Sequence, residues 1–481
     1  MNFSSSLFIL YFLPSFLLLY FISGLKVRKI IIFLASMIFF LWTKPSFLLL
    51  LIITLIIEHY LIYVMYESNG KAKRIILIFL LLMNISILVY YKYTHFFYNQ
   101  FSAWLNLPDI RKIVLPAGIS FIVFQKISYL VDVYRKTATP ARSLVDYMIF
   151  ILFFPKILAG PIVRFNAFSS DLSAQNKNPK IEDRLNGFFR FSLGLVKKVL
   201  IANVLGEFTD EIFSTNTSML NTSTAWIGAL TYSFQIYFDF SAYSDMAIGL
   251  GRIIGFRIPE NFNNPYVSVG ITGFWKRWHI TLGTWLRDYL FLPSAYTFSR
   301  KMPEEKYLKL KTEKWIYIFA TMLTMVICGF WHGAGWTFLI WGFYHGFMMA
   351  LEKLFLMRLL KRSGKIISVA FTFFVVVIGW VMFRADSVSY AFDYYSVMFS
   401  LSKAGSDFMI TPQLVILLII SAIFSFAAII NRIEKWQITV FEDNESLKGI
   451  FLRMVAAIIL FVVGLSYVTA SGFNPFIYFR F

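Results

Sequence analysis

Apolar stretches return along this chain at lengths that suit a lipid bilayer. A bilayer-crossing helix needs about 20 predominantly apolar residues, with about 17–25 tolerated. Runs that meet or approach this length fall at residues 7–24, 30–42, 47–65, 75–91, 113–133, 185–204, 226–250, 315–330, 333–356, 366–383, 413–430 and 450–467. They predict about a dozen spans. The polar stretches between them are too short for a soluble domain, and the sequence shows no internal repeat. The pattern therefore predicts an all-α polytopic membrane protein. The first run lacks a basic leading segment and a small-residue cleavage site, so it reads as a retained span rather than a signal peptide.

Two stretches break the pattern. Residues 147–165 carry Pro155 and the Gly160-Pro161 pair inside apolar sequence. Proline and glycine interrupt a helix, and the freed backbone groups must then be satisfied inside protein. A re-entrant segment lining a cavity fits. The second broken stretch is residues 261–293.

Composition agrees with this reading. Of 481 residues, 58% are hydrophobic and 15% charged, against about 45–50% apolar and about 25% charged in ordinary soluble domains. Disordered and fibrous classes are excluded, and a soluble enzyme is disfavoured. The 45 Lys and Arg outnumber the 26 Asp and Glu, for a net charge of +19. In a membrane protein such an excess marks cytoplasmic loops, not nucleic-acid binding. Basic clusters lie at Lys26/Arg28/Lys29, Lys71/Lys73/Arg74 and Arg135/Lys136/Arg142, across residues 252–314, and at Arg358/Lys361/Arg362/Lys365. All five fall on the cytoplasmic side if 147–165 is re-entrant. The acidic, Ser/Thr/Asn-rich loop 207–224 then lies outside, as do both termini. The single cysteine, Cys328, excludes an intrachain disulfide and a cysteine metal site. Its apolar surroundings read as inert packing.

Five histidines are the main candidates for chemistry, because ionisable groups within a membrane are costly and functional by default. His59 follows Glu58, and a buried Glu–His pair that helps a helix pack is the favoured reading. His95 sits among aromatic residues at a span end and suits interfacial anchoring. His345, in a glycine-containing helix, reads equally as a structural hydrogen-bonding group and as a support for a nearby site. His332 lies in Cys328-Gly-Phe-Trp-His-Gly-Ala-Gly-Trp336, a tight turn or helix break away from the cytoplasmic ends of its hairpin. An imidazole held away from water is neutral, and a neutral imidazole is a competent general base. A satisfied core histidine at a kinked hairpin is an equal alternative. His279 lies in a basic, aromatic segment, 274–293, in which Trp275, Trp278 and Trp285 are spaced for one side of a helix beside Lys276 and Arg277. An interfacial helix in anionic headgroups leads on these residues alone. The alternative is a cytoplasmic-side gate where Lys and Arg meet phosphates and Trp stacks on a flat ring, as a nucleotide-bearing acyl donor would require. There is no P-loop, dinucleotide fingerprint, His-Glu-x-x-His or Gly-x-Ser-x-Gly motif.

At His279 and His332 the sequence resembles the membrane-bound O-acyltransferases, in the bacterial branch that includes alginate and peptidoglycan O-acetylation proteins and the teichoic-acid D-alanylation protein. The match is carried by Leu115-Pro-Ala-Gly-Ile-Ser-Phe121, Pro155-Lys-Ile-Leu-Ala-Gly-Pro-Ile-Val-Arg164, Tyr237-Phe-Asp-Phe-Ser-Ala-Tyr-Ser-Asp-Met-Ala-Ile-Gly249, segment 274–293 and the motif from Phe330 to Trp336. The resemblance implies a helical ring with re-entrant segments and a transmembrane tunnel joining a cytoplasmic donor site to an outer acceptor site. It implies one membrane-embedded domain, residues 1–481, with N-terminal spans at 1–112, a catalytic core at 113–400, and C-terminal spans with an aromatic tail at 401–481. His332 becomes the expected essential histidine and His279 the second. Trp275, Lys276, Arg277, Trp278, Arg287, Trp331 and Gly333 are the expected donor- and substrate-binding residues. Asp239, Ser241, Asp245 and His345 are candidate supports, with a structural polar network the leading role for the first three.

The expected reaction moves an acetyl group from cytoplasmic acetyl-CoA across the inner membrane for O-acetylation of an extracytoplasmic polysaccharide or peptidoglycan. No permanently bound cofactor and no metal are expected. Secreted acetyltransferase- or esterase-like partner proteins, membrane lipid and the polymer acceptor are the expected partners, and nucleic acid is not. The C-terminus, Asn474-Pro-Phe-Ile-Tyr-Phe-Arg-Phe481, resembles the end of a small peptide of the D-alanylation system, which makes Tyr478 a candidate acyl acceptor. An aromatic interfacial anchor is the alternative. D-alanyl transfer from a carrier protein is the second functional reading. A transporter ranks behind it, because paired breaks in two repeated halves are missing.

Overall fold

Leucine, isoleucine and phenylalanine fill the long runs, and these fold as helices because a backbone in lipid has only itself to bond with. The structure is a computed structural model that describes residues 2–42, 45–105, 108, 110, 113–176, 178–400, 408–441, 447–470 and 476. Among the described residues the only strands form one hairpin, Lys306–Tyr307 with Leu310–Lys311. The protein is an all-α polytopic membrane protein. Among the described residues six helices are long and apolar enough to cross a membrane: Pro45–Glu67, Gly70–Ser102, Thr312–His332, Lys365–Arg384, Pro412–Ile429 and Lys448–Ala470. Their outer residues are large and apolar, among them Leu49, Phe79, Phe374, Ile419 and Leu452. Lipid, rather than water, is the solvent for such a surface.

The other predicted spans differ from simple crossings. Helices Arg28–Leu41, Ile119–Tyr134 and Trp336–Leu351 have 14, 16 and 16 residues. The run at 226–250 lies in a 32-residue helix, Thr222–Ile253. That helix is buried along most of its length and carries Asp239 and Asp245 inside protein. It is a core element, too polar to face lipid. Helix starts follow local rules. The Ser143 hydroxyl accepts from Asp146 N at 3.1 Å, and the Thr411 hydroxyl accepts from Leu414 N at 3.3 Å with Pro412 in the first helical turn.

The chain divides into two interleaved units. One comprises Met1–Val196, Tyr243–Pro259 and Asp443–Phe479, the other Lys197–Ala242, Glu260–Glu442 and Arg480–Phe481. In the first unit, residues 147–165 break as the prolines require. Helix Leu144–Leu152 ends, residues 153–164 are irregular, and helix Phe165–Ser173 follows. The irregular stretch is buried in protein. Gly118 lets it pack close, at φ +79°, where a Cβ would stand 2.5 Å from Ile157 O. Lys156 is fully buried within it. Its Nζ donates to Gln125 Oε1 at 2.8 Å and lies 4.1 and 4.7 Å from the ring centres of Phe150 and Phe168.

Glu58 does not form the expected pair with His59. Its carboxylate meets Lys126 Nζ at 3.0 Å and accepts from Asn84 Nδ2 and Tyr147 OH, both at 2.6 Å. Adjacent helical residues point about 100° apart, so the His59 ring turns instead toward Tyr63, with centres 5.3 Å apart.

Candidate active site

In the second unit, segment 274–293 is not one amphipathic helix. Helix Ile271–Arg277 stops, His279 takes a left-handed conformation (φ 45°, ψ 52°), and helix Ile280–Leu286 starts at a new angle. A non-glycine residue in that region is strained, by about 1–3 kcal/mol. Asn261 holds the break in place. Its side-chain oxygen accepts from Thr281 N and Oγ1, at 3.2 and 2.8 Å, and lies 3.2 Å from His279 Nδ1. Its backbone oxygen accepts from Ile280 N at 2.9 Å. The three tryptophans consequently do not share one helix face.

Helix Ile271–Arg277 is fixed at its other end by Glu352. This buried carboxylate accepts from Thr272 N at 3.0 Å, and Gly270 N donates to Thr372 Oγ1 at 2.8 Å. Together these satisfy amide groups at the helix start and place a negative charge at the positive end of the helix.

A cavity of about 330 Å³ opens beside the two short helices. Trp275, Lys276, His279 and Arg287 line one side. Tyr317, Thr321, Thr324 and Cys328 of helix Thr312–His332 line another. Their spacing of four, three and four residues makes a single stripe on that helix. His332 continues the stripe four residues past Cys328, about 6 Å further along the axis. Cys328 is thus a wall residue of the cavity rather than inert packing.

His279 is buried, and burial pushes its imidazole down to about 3. It is neutral at physiological pH, and its ring stands edge-on to Phe240, with centres 4.6 Å apart. His332 is buried against Trp341 and Phe383, at 5.3 and 5.4 Å between ring centres. Its helix packs on helix Trp336–Leu351 through Gly329 and Gly342. A Cβ on Gly329 would meet Phe338 O at 2.2 Å, and one on Gly342 would meet Met325 O at 2.3 Å. Such contact requires glycine on both helices.

Trp275 joins the cavity to this aromatic group, with its ring 5.5 Å from Trp341 and 5.3 Å from His345. Among the described residues neither ring nitrogen of His345 has a hydrogen-bond partner.

The remaining expected site residues among those described lie off the cavity wall. Arg277 pairs with Glu434 at 2.8 Å and donates to Asn263 O at 3.2 Å. Trp278 packs against Trp380, at 4.9 Å. Trp331 is buried beside His332, at 4.9 Å, and Gly333 packs under the Phe338 ring. Asp239 pairs with Lys198 and Asp245 with Arg190, both at 2.6 Å. Ser241 Oγ donates to Phe238 O at 3.4 Å. Tyr478 lies outside the described residues. Phe476, two residues earlier, is described and packs edge-on to Tyr243, at 4.8 Å.

Sequence reasoning missed Asn261, Thr321 and Thr324. The helical spacing of polar and small residues within the apolar run 315–330 was the available signal.

His332 is buried at the C-terminal end of its helix, one turn past a cavity wall that carries Lys276 and Arg287. Comparison with known proteins gives the class. The chain belongs to the membrane-bound O-acyltransferase family, whose sequence profile matches residues 141–392. It is an acyltransferase and a multi-pass membrane protein. It is 34% identical over the whole of both chains to a probable alginate O-acetylase of Azotobacter vinelandii. It is 32% identical to a peptidoglycan O-acetyltransferase of Helicobacter pylori, across all of this chain and 97% of that one. A teichoic acid D-alanyltransferase of Bacillus subtilis is 29% identical over 55% of this chain and 68% of its own.

Proposed function

We propose that the protein takes an acetyl group from acetyl-CoA on the cytoplasmic side of the inner membrane and delivers it outward for O-acetylation of an extracytoplasmic polysaccharide. The observation that carries this reading is the stripe Tyr317–Thr321–Thr324–Cys328, which leads from a cavity bearing Lys276 and Arg287 toward His332. The basic loops on that side fit the cytoplasm by charge. Full-length similarity to alginate and peptidoglycan O-acetylating proteins supports acetyl over D-alanyl transfer.

In this mechanism Lys276 and Arg287 attract the donor's phosphates. His332 removes the proton of an acceptor hydroxyl. The hydroxyl oxygen attacks the thioester carbonyl, the carbon–sulfur bond breaks, and the proton held by His332 goes to the departing thiolate. Base assistance of this kind supplies about 10²–10⁴ in rate. His279, neutral and held by Asn261, sits on the cavity wall as a hydrogen-bonding group for the donor. The acceptor is the polymer, a secreted partner protein or Tyr478.

The test is transfer of labelled acetyl from acetyl-CoA by purified protein. His332→Ala loses at least a hundredfold of the rate, and wild-type transfer by that variant overturns the assignment. A D-alanyl-loaded carrier protein, offered in parallel, separates the two donor classes.

A further inference from the structure

Helix Leu13–Ile22 ends near Tyr20 and Phe21, whose rings stand edge to face with centres 5.1 Å apart. An arginine lies over each ring. The guanidinium carbon of Arg28 is 4.7 Å from the centre of Tyr20, and that of Arg184 is 4.5 Å from the centre of Phe21. All four residues belong to the first unit. Arg28 is only 3% exposed. Its Nη2 donates to Asn178 Oδ1 at 2.7 Å, while its Nε and Nη1 are buried with no hydrogen-bond partner among the described residues. The Nε of Arg184 is buried and unpartnered in the same way. Nearby carboxylates are taken by other cations. Asp183, beside Arg184 in sequence, pairs with Arg252 at 3.0 Å, and Lys29, beside Arg28, pairs with Asp146 at 3.2 Å.

A buried guanidinium without a counter-charge is costly, and two of them over neighbouring rings also repel. Helix position adds to that cost. Arg28 is the first residue of helix Arg28–Leu41, and Arg184 lies in the first turn of helix Ile181–Val196, so both stand at positive helix ends. An anion with several acceptor oxygens relieves all three costs, and phosphate matches the guanidinium fork. The surroundings select its source. Leu18, Leu19 and Ile22, on the helix that carries the two rings, are exposed, as is Ile181 on the helix that carries Arg184. These side chains suit acyl chains rather than a dissolved ion. The basic cluster Lys26/Arg28/Lys29 fits the cytoplasmic face by charge, where anionic lipids supply the phosphate.

We propose that Arg28 and Arg184 hold the phosphate of an anionic membrane phospholipid whose acyl chains run along Leu18 and Ile22. Nε and Nη1 of Arg28 donate to it as a fork, and Nε of Arg184 donates from the other ring. A zwitterionic lipid brings its own ammonium to a place that already holds two cations, so a lipid with a neutral headgroup alcohol is preferred. The lipid then ties helices Leu13–Ile22, Arg28–Leu41 and Ile181–Val196 together through one shared anion.

The test uses full-length protein stripped of lipid in detergent and titrated with phosphatidylglycerol, phosphatidylethanolamine, glycerol phosphate and inorganic phosphate. Native mass spectrometry counts the bound molecules. Phosphatidylglycerol is retained at one site, ahead of phosphatidylethanolamine. Arg28→Gln and Arg184→Gln each weaken it about tenfold or more, the effect of losing one charged hydrogen bond. Arg28→Lys, which keeps the charge and loses the fork, falls between wild type and Arg28→Gln. Arg184 is half-buried, so Arg184→Gln reads the site even if Arg28→Gln fails to fold. The double variant Lys361→Gln/Arg362→Gln, in an exposed basic cluster elsewhere, leaves binding unchanged. An equal loss in that control reduces the effect to general surface charge and overturns the proposal. Retention that ignores both arginines overturns it too, as does equal retention of the two lipids. Glycerol phosphate or inorganic phosphate bound as tightly as the lipid, and lost in the same variants, assigns the two arginines to a soluble anion and overturns the lipid.

Discussion

His279 combines two costs at one position. Its backbone occupies a left-handed conformation, and its imidazole is shut off from water. The second cost has a pH signature. The free imidazole titrates near 6.5, whereas the folded one is held down to about 3. Between those values the unfolded chain takes a proton that the folded chain refuses, so acidification from pH 7 to pH 4 lowers stability. A His279→Gly variant keeps the backbone geometry and removes the titrating group. Its melting temperature is expected to fall less than the wild type's over the same pH range. Equal falls show that His279 is not the group responsible. The His279 and His332 motifs were legible as sequence. Asn261 was not, because nothing eighteen residues upstream marks it as the group that holds the helix break.

Helix Ile271–Arg277 is only seven residues long and has little stability of its own. Its orientation depends on what its ends touch. Glu352 at its start is therefore a lever on Trp275 and Lys276, which lie one turn further on. Glu352→Ala leaves the Thr272 amide unpaired and is expected to cost about 1–2 kcal/mol, as loss of a helix cap does. The donor's KM rises with it, while Glu352→Gln, which still accepts a hydrogen bond, is milder. Thermal melting and donor titration of the two variants check this order. The same segment shows where sequence periodicity misleads. Trp275, Trp278 and Trp285 have helical spacing, yet a single left-handed residue redirects the chain between the second and third. Interruptions by proline and glycine were easier to read: Pro155 and Gly160-Pro161 break the chain where expected. Full crossings and core helices were harder to separate, since Thr222–Ile253 looks apolar by count but buries its acids in ion pairs supplied from elsewhere in the sequence.

At the scale of the whole molecule, charge is placed by burial as well as by topology. The first unit carries a polar centre inside protein, where Lys126, Asn84 and Tyr147 all meet the Glu58 carboxylate. A buried pair of this kind contributes little net stability, but removing one partner strands the other and costs about 3–5 kcal/mol. Lys126→Met is thus expected to lower the yield of folded protein sharply. The double variant Glu58→Gln/Lys126→Met is expected to recover most of it. If the double variant is no better than the single one, the pair is not acting as a coupled unit. Neighbouring residues in sequence pointed to His59 as the partner of Glu58. The true partner comes from a helix nearly seventy residues away, and a single sequence carries no record of such pairings. Of the dozen apolar runs in the sequence, six lie in helices among the described residues that are long and apolar enough to cross a membrane.

Cys328 is the only thiol in the chain, and it stands on the wall of the cavity beside His279. The protein therefore carries a native, single-site reporter of that space and needs no engineered probe. A small uncharged thiol reagent that enters the cavity meets Cys328 on its wall, where burial keeps the thiol slow to react. A bound donor is expected to slow that reaction several-fold, and a charged, bulky reagent is expected to form no adduct. Labelling in intact cells then reports occupancy under growth conditions, read by whole-protein mass spectrometry without measuring catalysis.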